Sequence, residues 1–316
     1  MPVPELKEVY SGRINEVVIG SSSEQGGTRS QAVTVGGAQT LPGLDFDGDP
    51  GRRPAIAMDV VDVFPEDWPE ALRDAFGNSL RSPADWAKRC VDEFGAELIC
   101  VKLDGIDPDG AGHSAAQAVD AVMSVLKAVP VPLIIWGCEN AEKDNEVLRR
   151  VSQAARGERC LIGPATESNY KVLAATCVAD GHSLITSAPL DINMARQVNI
   201  LVSDMDFPLD RIVMYQTTGA LGYGLEYAYS IQERQRLAAL GGDRLMSMPV
   251  ICDIGTEAWR AKEAKAADHP EAGWMWELIT ATTLLQSGVD IFRMRHPKAA
   301  ERLRKAIGEV VRADDA

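Results

Sequence analysis

Residues 82–103 read SPADWAKRCVDEFGAELICVKL and contain one whole structural unit. Ser82 offers an N-cap oxygen, Pro83 takes the first helical position and Asp85 places an acid at the third, so a helix starts here. Ala87, Cys90, Val91 and Phe94 recur on one side at helical spacing, and Gly95 supplies the residue that closes the helix. The apolar run LICVKL, Leu98–Leu103, follows as a short strand. The apolar side of the helix must pack on such strands.

The same pattern recurs along the chain. Short apolar runs begin near Ala55 (AIAMDV), Leu98 (LICVKL), Pro132 (PLIIWG), Cys160 (CLIG), Ser183 (SLITSA), Arg211 (RIVMYQ), Pro249 (PVICDI) and Asp290 (DIFRMR). Each is followed by a helical pattern, which is the signature of parallel βα repeats. Eight repeats about 33 residues apart predict an α/β fold of the (β/α)8, or TIM, barrel type, for which roughly 31 residues per unit are expected. Ser114, Asp144 and Ser168 are expected as further helix caps, and Gly157, Gly181 and Gly288 as helix-ending glycines.

Ahead of the first strand, residues 15–20 and 31–37 alternate in β fashion around a Ser/Gly-rich turn, SSSEQGGT, and read as a hairpin. Its simplest role is to plug the N-terminal mouth of the barrel. Residues 41–54, with Gly43, Gly48 and Gly51, read as a loop entering the first strand. Residues 1–54 are thus expected to belong to the same domain as a barrel over 55–316.

A net charge of −14 opposes binding to phosphate backbones, which depends on Lys and Arg displacing counterions, so nucleic acid is not an expected partner. No apolar run is long enough for a membrane span, and the start lacks the basic-then-apolar order of a secretory signal, so the expected location is the cytoplasm. The six cysteines are scattered singly without a Cys-x-x-Cys pair, which predicts buried, reduced thiols and no metal or iron–sulfur cluster on this chain.

In a barrel, functional groups sit on the loops after the strands. Asp59, Asp62, Asp104, Glu139, Asn140, Glu167, Asp191 and Asn193 fall there, and each taken singly is better explained as a helix cap or turn residue. The loop after the sixth barrel strand says more: Gln216 is followed by Thr217, Thr218, Gly219, Ala220, Leu221, Gly222, Tyr223, Gly224, Leu225, Glu226 and Tyr227. Glycines allow close backbone approach, threonines add hydroxyls and tyrosines add flat faces, so this is a binding surface with no nucleophile. A tight turn needing positive φ would explain part of the glycine content but not the polar and aromatic company. His113, His182, His269 and His296 lack metal or triad spacing, and Trp274 and Trp276 belong to a helix packed on the barrel or to an interface.

With these residues in view, the chain resembles the small subunit of the corrinoid iron–sulfur protein, equivalent to the delta subunit of acetyl-CoA decarbonylase/synthase complexes. The resemblance runs along nearly the whole chain. It is carried by residues 33–49 (VTVGGAQTLPGLDFDGD), 217–240 (TTGALGYGLEYAYSIQERQRLAAL) and 248–264 (MPVICDIGTEAWRAKEA). It departs from the expected pattern where Tyr215-Gln216 stands in place of Asp-Pro, and in the segment around Gly43, where the position of an aromatic is part of the pattern. The resemblance implies a non-catalytic barrel subunit in a heterodimer with a large corrinoid iron–sulfur subunit. That partner carries the iron–sulfur cluster, and the corrinoid (cobalamin) is shared with it. A methyltransferase delivers the methyl group of methyl-tetrahydrofolate or methyl-tetrahydropterin to the corrinoid, and acetyl-CoA synthase receives it, in the reductive acetyl-CoA pathway. Carried over by motif, Thr217, Thr218, Gly219, Ala220, Gly222, Tyr223 and Gly224 would line the corrin or the facing subunit. The alternative is a pterin-dependent methyltransferase on the same barrel, with Asp104, Asn140, Asp191 and Asn193 gripping the pterin; fold alone does not separate the two.

Overall fold

A computed structural model describes residues 7–266, 269 and 271–310. Two short strands come first, β1 (Glu16–Ile19) and β2 (Val33–Gly36). The barrel strands follow as β3 (Ala55–Val61), β4 (Leu98–Lys102), β5 (Leu133–Trp136), β6 (Leu161–Ala165), β7 (Ser183–Ser187), β8 (Ile212–Tyr215), β9 (Ile251–Asp253) and β10 (Ile291–Met294). Each starts within two residues of the expected position. Their order, β8-β7-β6-β5-β4-β3-β10-β9, is a parallel ring, closed by a parallel bridge between Met214 and Val250 and by the Met214 amide donating to the Pro249 carbonyl at 2.8 Å.

Helices cover the outside: α1 (Glu70–Asp74), α2 (Pro83–Asp92), α3 (Ala115–Ala128), α4 (Ala141–Ala154), α5 (Tyr170–Asp180), α6 (Ile192–Ser203), α7 (Leu225–Leu240), α8 (Ile254–Arg260), α9 (Ala272–Leu285) and α10 (Pro297–Val310). The α2 start follows its sequence signals, with Ser82 Oγ accepting from the Asp85 amide and Trp86, Ala87 and Cys90 buried. Ser114 and Gln117 form a reciprocal capping box on α3, and Gly181 ends α5 in the left-handed conformation. Two caps differ from expectation. The α4 cap is Asn140, while Asp144 sits one turn further in and turns back to accept from the Cys138 and Glu139 amides; α5 begins after Asn169, not Ser168. In both cases a nearby Asn, one turn before Asp144 and one residue after Ser168, takes the N-cap position, a distinction that cap-type composition does not resolve.

Strand alternation sorts the core into two shells. Residues such as Ile56, Met58, Ile99, Val101 and Phe292 face the helices. Ala57, Leu98, Cys100, Ile134, Ile185 and Val213 face the barrel interior, where they pack with Val17, Ile19 and Val35 of the hairpin. The hairpin is held to the N-terminal ends of the strands. Asn15 donates its amide to the Ser247 carbonyl ahead of β9, and Gly20 to the Arg159 carbonyl ahead of β6. Buried Arg29 pairs with Glu158 at 3.0 Å and donates to the Val129 and Val131 carbonyls ahead of β5. The plug is thus apolar on its inner face and hydrogen-bonded at its rim. Among the described residues no helix is long and apolar enough to cross a membrane.

Because Ile19 is fully buried against the barrel interior, Ile19→Ala should cost about 2–5 kcal/mol, the range for such truncations. Urea unfolding measures it, and a loss below about 1 kcal/mol would mean the hairpin does not act as a packed plug.

Candidate functional site

With the N-terminal mouth filled, the C-terminal mouth is the accessible end of the barrel. Its floor is built by charged residues at inward positions of four adjacent strands: Lys102 ends β4, Asp59 lies in β3, Arg293 in β10 and Asp253 ends β9. Arg293 is fully buried. Its Nε and Nη2 donate to the two oxygens of Asp59 at 3.0 Å each, and Nη1 donates to Asp253 Oδ2 at 3.0 Å. The guanidinium lies 4.1 Å from the centre of the Trp136 ring, whose edge-on neighbour is Tyr215. Burial alone would push the Asp253 carboxyl up, but the cations of Arg293, Lys102 and Arg295 hold it below the usual carboxylate range.

One step nearer the mouth is Arg295, whose flat face lies 4.6 Å from the Trp68 ring centre and whose Nη2 donates to Thr256 Oγ1. Its backbone amide donates to Glu277 of α9 at 2.6 Å, and that buried carboxylate also accepts from Trp259 Nε1 and the His296 amide. Burial pushes the Glu277 carboxyl up to about 7 against the pull of these donors. Burial, helped by Lys298, lowers the stacked His296 imidazole to about 4.

The β8–α7 loop forms one rim of the mouth, and its glycines each answer a backbone requirement. A Cβ on Gly219 would lie 2.2 Å from the Gly224 carbonyl oxygen, while Gly222 and Gly224 have φ of 75° and 95°, where side chains are strained. Thr217 also has positive φ, and its hydroxyl donates to the Ala188 carbonyl. Thr218, Gly219 and Ala220 are buried, Thr218 Oγ1 accepting from the Asp253 amide at 3.0 Å and so tying the loop to the charged floor. From α9, Trp276 Nε1 donates to the Leu221 carbonyl and Thr280 Oγ1 accepts from the Leu221 amide. What remains at the surface is the Gly222 backbone with Tyr223, 52% exposed, and, on the first turn of α7, Tyr227, 65% exposed. A Cβ on Gly222 would meet nothing within 4 Å. Beside this loop a cleft of about 390 Å³ runs past Thr217, Ala188, Ser187 and Thr166.

The other sequence candidates scatter. Asn140 Oδ1 accepts from the Lys143 amide and Asp191 Oδ1 from the Asn193 and Met194 amides, so both serve as helix caps; Asn193 and Glu167 are exposed. Asp104 stands 3.4 Å from Lys102, and Glu139 accepts from Trp136 Nε1. Asp62 accepts from the Gly105 amide at 2.8 Å, and burial raises its carboxyl to about 6. His182 is buried between the Cys160 amide and the Ser152 carbonyl, and His269 is exposed. Five cysteines are buried, Cys138 is half-buried, and all six are free thiols. Lys102, Asp253, Arg293, Arg295 and Glu277 were not among the sequence candidates. The signal for the strand residues was present, since a charge at an inward position of an apolar strand is rare unless paired.

The fold and mouth define a (β/α)8 barrel with a plugged base, a charged floor and a pinned glycine/tyrosine rim. Comparison with known proteins supplies the family. The profile described as CO dehydrogenase/acetyl-CoA synthase delta subunit matches residues 16–296. The acetyl-CoA decarbonylase/synthase complex subunit delta of Archaeoglobus fulgidus is 39% identical over 312 residues, covering 95% of this chain and 69% of the relative. Subunit delta 1 of Methanosarcina thermophila is 36% identical over 309 residues, covering 94% and 70%. This chain belongs to the acetyl-CoA decarbonylase/synthase delta subunit family. Among solved structures, the dihydropteroate synthases of Coxiella burnetii and Stenotrophomonas maltophilia superpose with TM-scores of 0.60 and 0.54 at 11% and 17% identity. They cover 94% and 84% of this chain, and 98% and 95% of their own chains are matched, which confirms the barrel fold.

Two outcomes follow from the floor. Arg293→Met would leave Asp59 and Asp253 buried without their main cation and should cost about 3–5 kcal/mol in chemical denaturation. The second concerns pH. Glu277 has a folded-state pKa of about 7, above its ordinary 4.5, so the folded protein holds the proton more tightly. Its contribution is fully present below about pH 4.5 and is lost as pH rises through about 7. The stability of Glu277→Gln relative to the parent should therefore climb across that window, and a flat difference would show that the three donors balance burial.

Proposed function

We propose that this chain is the small subunit of a heterodimeric corrinoid/iron–sulfur methyl carrier. A methyltransferase would place a methyl group from methyl-tetrahydrofolate or methyl-tetrahydropterin on the shared corrinoid, and acetyl-CoA synthase would receive it. The large partner subunit would carry the iron–sulfur cluster, the assembly would be cytoplasmic, and residues 1–54 and 55–316 would form one domain. The observation that carries this reading, beside family membership, is the β8–α7 rim: a loop rigidly pinned from below that offers backbone and aromatic surface above.

The rim fits a flat macrocycle better than it fits a reacting substrate. Space is open over Gly222, Tyr223 and Tyr227 present exposed rings, and the loop has no imidazole, thiol or carboxylate between Thr217 and Leu225. When bound, a corrinoid supplies the cobalt centre that takes up and gives away the methyl group. Gly222, Tyr223, Gly224 and the edge of Thr217 would hold and shield it, while Thr218, Gly219 and Ala220 fix the loop from inside. The pterin-enzyme alternative needs free side chains at Asn140 and Asp191, whose acceptor oxygens already cap α4 and α6.

Native purification from anaerobic extract should bring down a large partner with about one cobalt per heterodimer and an iron–sulfur absorbance, by the division of chemistry between cofactor and protein proposed above. Gly222→Val should leave the far-UV circular dichroism unchanged and lower the retained cobalt at least severalfold. A colourless lone barrel, or cobalt stoichiometry unaltered in the variant, would refute the assignment.

A further inference from the structure

A second concave surface lies on the mouth, away from the glycine rim, between the segment after β3, the end of β4, α8 and the end of β10. This cleft measures about 150 Å³, and its lining has four cations, Lys102, Arg260, Lys265 and Arg295, against two carboxylates, Asp67 and Asp104. Lys102 pairs with Asp104 at 3.4 Å and Arg260 with Glu257, which leaves Arg295 as the buried cation of the lining that no carboxylate meets at hydrogen-bond distance, an unusual feature on a chain with a net charge of −14.

Arg295 is the decisive residue. It is 8% exposed, and its Nε is buried without a hydrogen-bond partner among the described residues. The nearest carboxylate oxygen, Asp59 Oδ2, is 3.6 Å away and already accepts from Arg293 Nη2 at 3.0 Å. Thr256 Oγ1 satisfies Nη2, and Trp68 covers one face of the guanidinium. A guanidinium carries five donors in a rigid fork, and leaving a buried one short of acceptors costs free energy. Nε is itself closed to solvent beside Asp59, so what the cleft is offered is the Nη end of the guanidinium, which Glu277 clamps in place through the Arg295 backbone amide. Lys102, with its side chain 12% exposed, faces the same cleft, and buried Trp68 and Trp259 supply apolar walls.

We propose that this cleft is an oxyanion site, taking the phosphate or carboxylate group of a small ligand. Arg295 is the principal contact, Lys102 and Thr256 complete the inner site, and Arg260 and Lys265 attract the anion at the rim. The cleft is below the roughly 300 Å³ of a pocket for a whole drug-sized ligand, so it takes the charged end. The rest of the ligand leads outward past Asp67, Pro69 and Lys265, which also line a neighbouring cleft of about 390 Å³. The proposal stands independently of the corrinoid reading, because none of these residues belongs to the β8–α7 loop.

The test is calorimetric titration of the purified chain with inorganic phosphate and, separately, glutarate, at ionic strength held constant with sodium chloride. Saturable one-site binding of at least one anion is expected; phosphate alone assigns a phosphorylated ligand, and glutarate with or without phosphate assigns a carboxylate ligand. Lys102→Gln should weaken binding at least about tenfold, the effect of losing one charge-assisted contact. Because Lys102 is largely buried, the exposed pair Arg260→Gln/Lys265→Gln serves as the second variant, with a smaller loss that grows as salt is lowered. Absence of saturable binding of both anions to the parent protein, or unchanged affinity in both variants with folding intact, would overturn the site.

Discussion

The geometry of the barrel rests on the burial of one guanidinium. Arg293 has no exposed surface, and moving an ion into such an interior costs several kcal/mol unless its donors are satisfied in good geometry. Here three donors meet two carboxylates drawn from the strands on either side, Asp59 of β3 and Asp253 of β9, and the cation lies against the face of Trp136. The arrangement adds little net stability over a well-packed apolar core, but it penalises error. A slip of one residue in any of the three strands would turn its charge toward the helices and strand the others. The pairing sits next to the seam, where β9 meets β8 through a single bridge at Met214 and Val250, so register is most strongly specified where the ladder is thinnest.

From that layer the barrel runs in opposite directions. Below it, the alternating Ala57, Leu98, Cys100 and Ile134 continue into Val17, Ile19 and Val35 of the hairpin, with Ser183 of β7 a buried polar residue in this largely apolar interior. Above it, Arg295 and Lys102 carry positive charge toward the open mouth. A ligand has one end of the barrel to approach, and there it meets cations placed in a low-dielectric surround, where each is worth more than on an open surface. Net acidity over the rest of the chain leaves this the locally favourable spot for an anion.

The backbone plan was legible in the sequence because it depends on signals that repeat. Eight recurring apolar runs, the cap at Ser82 and the alternation on either side of SSSEQGGT each arise from a repeat or a turn chemistry that one sequence displays. The site was legible only in part, and the loss has a definite cause. Polar residues just past strand ends are the natural site candidates in such a sequence, yet Asn140 and Asp191 spend their oxygens on helix amides, as cap chemistry at those positions favours. Of the residues that form the floor, which lie inside the strands, only Asp59 is among those candidates. Asp59 in AIAMDV, Lys102 in LICVKL, Asp253 in PVICDI and Arg293 in DIFRMR interrupt apolar runs at the alternating, inward positions, and the matching of two acids with one base across neighbouring strands appears only when the ring is closed. Glu277 carries no sequence signal, since a glutamate in a helix is ordinarily solvated.

Helix α9 joins the two halves of the mouth. Its Trp276 and Thr280 fix Leu221 at the tip of the glycine loop, and between them on the same helix Glu277 receives the amides of Arg295 and His296. The loop that presents Tyr223 and the strand end that presents Arg295 are therefore hung on one rigid element, with Thr218 to Asp253 as a second strut through the floor. Glycines in such a loop do not by themselves signify a ligand, because close packing of Gly219 and the positive φ of Gly222 and Gly224 account for them. The tyrosines are different: the Tyr223 hydroxyl donates to Glu263 and so braces the loop, but both rings remain more than half exposed. Exposed aromatic surface on a braced support is what a binding face demands, since a surface already held in shape loses little conformational entropy when its partner arrives.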